Sequence, residues 1–414
     1  MMKFWSFLSI VFLSLNSFAQ VSGTGQISGI DDKDRLNTIT TAVPFLLIAP
    51  DARGGGLGDA GAATSPDANS IHWNPAKLAF IDKNVGFSMS YVPWLRALVP
   101  DINLAYLSGY KKISKREAIG ASLRYFSLGD ITFTDVVGNT TGQFRPNEFA
   151  VDLAYSRKLS DEFSGGLALR YIYSNLTGGI NVQGQNTKAG QAAAADVGFY
   201  YTKKQIKLGE KKGKYAAGIV FSNIGSRISY SDAAVKNYLP MNLRLGNALT
   251  VLLDDYNSIA FVADFNKLLV PSPPIYELDN NGSPKLAADG TYVIAAGKDP
   301  NRPVGEAIFS SFNDAPLGAS EELKEVNYSV GMEYWYEKLF AIRTGMFYED
   351  PTKGNRKYVT LGAGLRYNVF SLDFTYLIPI TQNHPLKNTL RFTLLFDFDA
   401  FKAQNKEATA DPTN

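Results

Sequence analysis

The chain has 414 residues, a formal net charge of +2 at pH 7, and 26 Phe, 22 Tyr and 36 Gly, but no cysteine. The near-neutral net charge does not suggest the strongly basic composition that is typical of nucleic-acid binding, so no nucleic-acid partner is expected. The lack of cysteine excludes a disulfide framework, thiol chemistry and an acylated cysteine anchor.

The N-terminus predicts a secretory signal peptide over residues 1–19. An apolar run from Phe4 to Leu15 follows a lysine, and the small residues Ser17 and Ala19 come shortly after it. A short apolar core followed by small residues at the cleavage position is the pattern of exported proteins. We therefore expect cleavage after Ala19 and export from the cytoplasm.

Residues 20–84 predict a leader followed by a compact segment without strand periodicity. Within it, residues 56–61 read Gly-Leu-Gly-Asp-Ala-Gly, a literal GxGxxG that is typical of dinucleotide binding. Such a site needs a long helix that begins in the glycines, and Pro66 and Pro75 interrupt that helix. We therefore interpret these glycines as backbone that packs closely against neighbouring elements.

Residues 85–399 predict fourteen β-strands. Apolar residues recur at every second position, as where Phe392 and Phe396 alternate with Arg391 and Thr393. Segments of this kind are typical of a barrel with lipid outside and a polar lumen. An even strand count closes such a barrel without an exposed edge. The expected fold class is all-β, a transmembrane antiparallel β-barrel of about 14 strands, followed by a polar C-terminal tail over residues 400–414. The predicted strand centres are residues 89, 106, 122, 152, 169, 198, 219, 246, 262, 331, 344, 363, 374 and 393.

The connections between predicted strands alternate in length. Those with even numbers are turns of a few residues, except a somewhat longer one over residues 204–213, and those with odd numbers are longer, up to the loop over residues 268–324. Short periplasmic turns and long extracellular loops are the rule for outer-membrane barrels. We therefore expect the loops at the cell surface and both termini in the periplasm.

Charges of both signs lie at the predicted inward positions, where we expect them to pair across the lumen. They are Arg124, Arg170, Arg244, Arg343, Arg366, Arg391, Asp152, Asp264, Glu333 and Asp373. No arrangement of nucleophile, base and acid stands out among them, so we do not expect an enzyme. His72 and His384 are the only histidines and are far apart in the sequence, so neither a metal site nor a cofactor is expected.

Two loops carry apolar residues that we interpret as candidate partner-binding positions, because contiguous exposed apolar surface usually marks a contact site. These residues are Trp94, Leu95 and Leu98 in the first loop and Ile308, Phe309 and Phe312 in the longest one. An alternative for Trp94 and Leu95 is a place in the outer aromatic girdle. The second group lies in or near a possible short helix around residues 304–312, and the alternative for this group is that it folds back into the barrel mouth.

The stretch from Ala52 to Ala76 resembles the N-terminal hatch of FadL-type barrels. The similar positions are the glycine-rich run at 52–61, Pro-Asp-Ala at 66–68 and Trp-Asn-Pro-Ala at 73–76, whereas Lys77 stands where that family has glycine. The resemblance implies fourteen strands and a hatch that plugs the barrel. The residues that it implies for packing of the hatch are Arg53, Gly54, Gly56, Gly58, Asp59, Gly61, Asn74 and Pro75.

Among FadL-like barrels, residues 40–50 and 52–110 are most similar to the PorV family of the type IX secretion system. This resemblance implies a non-enzymatic protein in outer-membrane lipid that binds cargo through its C-terminal signal domain. It would receive cargo at a SprA/Sov-like translocon barrel and carry it to the attachment complex with a PorU-like sortase. The alternative is a FadL-type transporter of hydrophobic small molecules, which the charged lumen disfavours.

Overall fold

The computed structural model describes residues 36–398, except 97, 100, 135, 136, 138, 180, 183, 184, 232–235, 281, 382 and 383. The predicted signal peptide, almost all of the leader and the C-terminal tail lie outside the described residues.

Fourteen antiparallel strands form a closed barrel, in which each strand pairs with its neighbours in the sequence and the first pairs with the last. All fourteen predicted strand centres lie inside these strands, so the predicted antiparallel barrel is confirmed. The strands are β1 (Val85–Pro93), β2 (Ile102–Lys112), β3 (Glu117–Leu128), β4 (Asn147–Lys158), β5 (Phe163–Asn175), β6 (Gly190–Leu208), β7 (Lys211–Gly225), β8 (Asn242–Leu252), β9 (Asn257–Leu268), β10 (Val326–Tyr336), β11 (Phe340–Tyr348), β12 (Lys357–Tyr367), β13 (Phe370–Pro379) and β14 (Thr389–Asp397).

Side chains along each strand alternate between the outer and the inner face of the wall. In β5, Leu167, Leu169 and Tyr171 are exposed on the outside, whereas Ala168 and Arg170 are buried inside. Because successive side chains of a strand point to opposite faces, the sequence alternation becomes an apolar outer band around a polar interior.

The two ends of the barrel differ in their connections. One end, the short-turn end, has turns of two to four residues, and β1 begins and β14 ends there. The other end, the loop face, carries the long connections, with small hairpins at Ile131–Thr134 with Thr140–Phe144 and at Ile275–Tyr276 with Ile294–Ala296. The prediction of a longer connection over residues 204–213 is wrong, because β6 and β7 continue to a tight turn at residues 209–210.

The part of the chain before β1, residues 36–82, is called the N-terminal segment here. It contains the α-helices α1 (Ala52–Gly56) and α2 (Ser70–Trp73) and the 3-10 helices Pro44–Leu47 and Pro75–Phe80. The loop between β9 and β10 carries α3 (Val304–Ser310), where a short helix is predicted, and α4 (Ala319–Lys324). Of the described helices, none is both long enough and apolar enough to cross a membrane.

The apolar cores lie between the N-terminal segment and the inner wall. One cluster packs Phe45 and Leu46 against Leu104 and Ile172 of the wall, and another packs Leu57 and Phe80 against wall residues. Ring stacking adds to this contact, since the Phe45 and Phe126 centroids lie 6.0 Å apart. The N-terminal segment therefore occupies the interior of the barrel.

Candidate functional site

Helix α1 is fixed at its first turn by Asp51. One carboxylate oxygen accepts a hydrogen bond from the Gly54 amide at 2.8 Å, and the other accepts one from Trp73 Nε1 at 2.5 Å. Burial raises the pKa of Asp51 to about 6. This residue caps α1 and ties it to α2.

Arg53 joins α1 to the barrel wall. Its Nε and one terminal nitrogen donate to the two oxygens of Glu333 at 3.0 and 2.9 Å, and the other terminal nitrogen lies 3.0 Å from Asp67. Glu333 also accepts from Arg343 at 2.7 Å, and Arg343 in turn donates to Asp373 at 2.6 Å. All five side chains are at least largely buried, so this is a fixed chain of alternating charges.

Asp59, which follows α1 in the chain, makes a second connection to the barrel wall. It accepts hydrogen bonds from the guanidinium of Arg391 and the hydroxyl of Tyr358, both at 2.6 Å. Close by, the Asp264 carboxylate accepts the amides of Gly61 and Ala62 at 2.8 and 2.9 Å. Charges of the wall thus bind the N-terminal segment as well as each other.

The glycines of the GxGxxG run lie where the backbone approaches its neighbours. A Cβ at Gly58 would lie 2.5 Å from the carbonyl oxygen of Met346, and its φ is +71°. At Gly54 and Gly61 a Cβ would lie 2.3 and 2.1 Å from the Trp73 ring, and at Gly56 it would lie 2.8 Å from a wall hydroxyl. No long helix begins here, since α1 spans five residues.

Asn74 and Pro75 form the turn that leads into the second 3-10 helix. The side-chain Oδ1 of Asn74 accepts a hydrogen bond from the Ala76 amide at 3.0 Å, and its Nδ2 donates to the Phe199 carbonyl of the wall at 3.0 Å. Lys77, the departure from the FadL-type pattern, is fully buried, and its ammonium donates to the Gly61 carbonyl at 2.8 Å. The lysine therefore cross-links the N-terminal segment internally.

Wall residues that the sequence analysis did not single out also bind this segment. Hydroxyls at inward positions bond its backbone: Thr393 accepts from the Ala52 amide, Thr375 donates to the Ala52 carbonyl, and Ser156 and Ser164 donate to the Ala76 carbonyl. Small polar residues at inward positions are the sequence signal that could have identified them.

By contrast, Arg170 pairs within the wall, with Asp152 and Asp196.

Cavities lie at both ends of the N-terminal segment. One of about 380 Å³ lies toward the loop face, lined by residues that include Leu47, Trp94 and Arg356. Another of about 400 Å³ lies toward the short-turn end, where Arg53 and Arg366 are among the lining residues. Both linings mix charged and apolar groups, and no described cluster of His, Asp or Glu has the arrangement of a metal site.

The three candidate residues of the first loop differ in their exposure. Trp94 and Leu95 pack inward against a cluster at the barrel mouth that contains Phe347 and Leu386, whereas Leu98 is 63% exposed. Trp94 and Leu95 therefore do not stand free at the surface. Leu98 is the one of the three that is available for contact.

The three candidate residues of the long loop also differ in their exposure. Ile308 packs against the cluster around Leu269 and Val270, whereas Phe309 is 80% exposed and Phe312 is 48% exposed. Helix α3 therefore presents Phe309 to the surroundings while its other side is packed.

Buried ion pairs anchor the end of the long loop. Lys267 lies 2.9 Å from Glu322 and 2.6 Å from Glu325, and Lys353 lies 2.6 Å from Glu321 and 3.0 Å from Glu325. These contacts fix α4 to the end of β9 and to the loop before β12. The exposed aromatic side chains thus stand on an anchored loop.

The comparisons with known proteins identify one family model. The model described as "Type IX secretion system protein PorV" matches residues 31–275. The comparison with curated protein sequences gave no match.

Several solved structures match this chain over most of its length. The Pseudomonas putida toluene transporter TodX is 12% identical, with 87% of this chain and 99% of that chain covered and a TM-score of 0.48. A Pseudomonas aeruginosa FadL homologue is 12% identical, with 88% and 100% covered and a TM-score of 0.40. The Ralstonia pickettii toluene transporter TbuX is 11% identical, with 85% and 97% covered and a TM-score of 0.42.

Proposed function

Since this chain belongs to the PorV family of type IX secretion system proteins, we propose that it is a non-enzymatic carrier of exported cargo. The chain is an integral outer-membrane barrel. In the proposed role it binds the C-terminal signal domain of a cargo protein, receives that cargo at the translocon barrel and carries it to a PorU-like sortase in the attachment complex. The chemistry of attachment belongs to the sortase.

The observation that carries the proposal, besides family membership, is the construction of the loop face. Phe309 and Phe312 are exposed aromatic side chains on a loop whose end is held by the Lys267 and Lys353 ion pairs. Leu98 adds an exposed apolar residue from the first loop. Exposed aromatic anchors on an ordered support are typical of protein-binding surfaces, because little conformational entropy is lost on binding.

The proposed orientation puts the loop face at the cell surface and the short-turn end in the periplasm. This orientation is supported by the positions of the two ends of the barrel chain. The first strand begins at Val85 and the last strand ends at Asp397, and both positions lie at the short-turn end. In outer-membrane barrels the short turns are periplasmic.

The alternative function, transport of hydrophobic small molecules, needs an apolar path through the lumen. The interior instead holds the N-terminal segment, tied by Arg53, Asp59 and Asp264 to charges and amides. Moving a hydrophobic solute along this route would require breaking buried charged hydrogen bonds. The lumen therefore favours binding at the loop face over passage through the barrel.

The test is site-specific photocrosslinking in living cells, with a photoreactive amino acid in place of Phe309 or of Leu98. A matched control carries it in place of Leu153, which is 64% exposed on the lipid-facing wall. We expect adducts with the C-terminal signal domain of cargo from both loop positions and none from the control. Adducts with lipid alone at the loop positions, in cells that secrete normally, would reject the proposal.

A further inference from the structure

The hairpin of β6 and β7 extends beyond its neighbours at the short-turn end. The β5 partner of β6 ends with the pair Tyr201↔Phe163, whereas β6 continues to Leu208. On that side, residues 203–208 have no strand partner in the part of the chain that the structure describes. Their backbone is a free sheet edge, which can accept a further strand.

The hairpin also concentrates positive charge. Residues 203–214 contain six lysines and one glutamate, and all six lysines are exposed. Lys207 and Lys212 are cross-strand partners, an arrangement that is destabilising because like charges face each other. Among the ion pairs of the described residues, none involves these lysines.

Protection of the free edge explains only part of this charge. Lysines commonly guard exposed edges against pairing, which accounts for Lys203, Lys204 and Lys207 on β6. It does not account for Lys212 and Lys214, because β7 is also paired with β8 at these positions, through Lys212↔Leu252 and Lys214↔Thr250. Lysines that disfavour pairing with basic or apolar strands favour pairing with an acidic strand.

The aromatic side chains of the hairpin indicate that its tip lies outside the lipid. Tyr201 and Tyr215 face each other across the hairpin with centroids 6.4 Å apart, next to the Phe163–Phe199 stack at 6.1 Å. Such aromatic rings mark the membrane boundary. Seven residues beyond Tyr201 extend roughly 23 Å along the strand, or about 16 Å along the axis at a tilt of about 45°. That distance exceeds the headgroup layer of about 5–8 Å, so the tip of the hairpin, with Lys207 and Lys211, reaches the aqueous phase.

We propose that the free edge at residues 203–208 is a docking site for an acidic, extended segment of a protein partner, which adds to β6 as a further strand. Backbone hydrogen bonds supply the attachment, and the lysines of both hairpin strands select negative charge. The inference rests on the proposed function only for the compartment, the periplasm, in which the partner is found.

The test is a fluorescence-anisotropy titration of the full barrel in non-ionic detergent with an alternating glutamate–valine peptide. The control peptide has lysine in place of glutamate. We expect the acidic peptide to bind, the basic one not to bind, and binding to weaken as salt is raised, because exposed charges are screened. Equal binding of both peptides, or no binding of the acidic one, would overturn the proposal.

Two variants distinguish the contribution of the lysine charges to peptide binding from that of the free backbone edge. Lys207→Gln with Lys212→Gln removes the cross-strand charge pair, and Gln205→Pro removes a backbone donor at the irregularity where β6 is not in register with β7. Each should weaken peptide binding by at least about tenfold. Lys111→Gln with Lys115→Gln, in another basic turn at this end, should change it less than about threefold.

Two further readouts complete the test. Heat-modifiable gel mobility shows that each variant is folded. The second readout is binding of the wild type and the lysine variant to vesicles that contain phosphatidylglycerol. If the lysine variant loses vesicle binding but keeps peptide binding, the lysines bind lipid headgroups and the proposal is overturned. The titration involves neither cargo nor secretion, so its failure is separate from a failure at the loop face.

Discussion

At the scale of single residues, close backbone approach and buried charge fix the N-terminal segment in the barrel. Gly58 combines a positive φ with contact to the Met346 backbone, and Arg53 and Asp59 pair with charges of the wall. Alternation along the strands predicts which charges point inward. It cannot predict their partners, because Asp59 and Arg391 are 332 residues apart in the chain.

The first prediction concerns Gly58→Ala. We expect it to lower the free energy of unfolding by about 3 kcal/mol, since the new Cβ meets backbone that cannot move aside. Gly209→Ala is the matched control, because Gly209 also has a positive φ, +64°, but nothing lies within 4 Å of the added Cβ. It should cost about 1 kcal/mol. Urea unfolding in lipid vesicles measures both, and equal costs would show that the close approach at Gly58 is unimportant.

The second prediction concerns Arg53→Ala, which removes the ion-pair partner of Asp67 and one of the two cationic partners of Glu333. We expect a loss of about 3 kcal/mol in the same unfolding measurement, because a buried ion network is broken. Arg145→Ala is the control, since the Arg145–Asp130 pair is exposed, and it should leave the unfolding midpoint nearly unchanged. Similar midpoints for the two variants would contradict a seated segment.

The third prediction is a pH dependence that arises from Lys77. Burial lowers the pKa of Lys77 to about 8 from the usual 10.5. Between these values the unfolded chain binds more protons than the folded one, so stability should rise as pH goes from 8 to 10.5, by up to about 3 kcal/mol. The Lys77→Met variant should show a smaller rise. An identical rise in both proteins would assign the effect to other lysines.

At the scale of elements, the strands follow from the sequence more completely than the hairpin ends and loops do. The predicted centres fall in all fourteen strands because each wall segment alternates between lipid and lumen. The end of β6 was missed because residues 203–208 extend beyond the aromatic boundary, where no lipid requires apolar residues at alternate positions. The packing of Trp94 depends on contacts with distant β11 and β12, which local sequence does not contain.

The fourth prediction concerns the anchor of the long loop. Lys353→Ala removes the ion pairs to Glu321 and Glu325, so α4 should detach more often and the loop should be cleaved several-fold faster by added protease. The unfolding midpoint of the barrel should change little. Lys285→Ala, which removes an exposed pair with Glu277, is the control and should not alter the cleavage rate. Equal rates in the two variants would show that the anchor does not order the loop.

At the scale of the whole molecule, the N-terminal segment occupies the interior of the barrel. Phe45 and Leu57 pack against the wall, while Arg53, Asp59 and Lys77 satisfy buried charges and carbonyls. The sequence suggested this segment only by its likeness to a hatch, because a chain without periodicity does not reveal what it packs against. The proposed binding at the loop face needs no passage through the lumen, so it is compatible with an interior that the N-terminal segment occupies.

The most direct test of this claim is a swelling assay on liposomes that contain the purified protein, with small sugars as solutes. The wild type should be nearly impermeable. A variant lacking residues 42–82 should fold into a barrel and admit the sugars at rates typical of an open pore. Porin-like permeability of the wild type would contradict a lumen filled by the N-terminal segment.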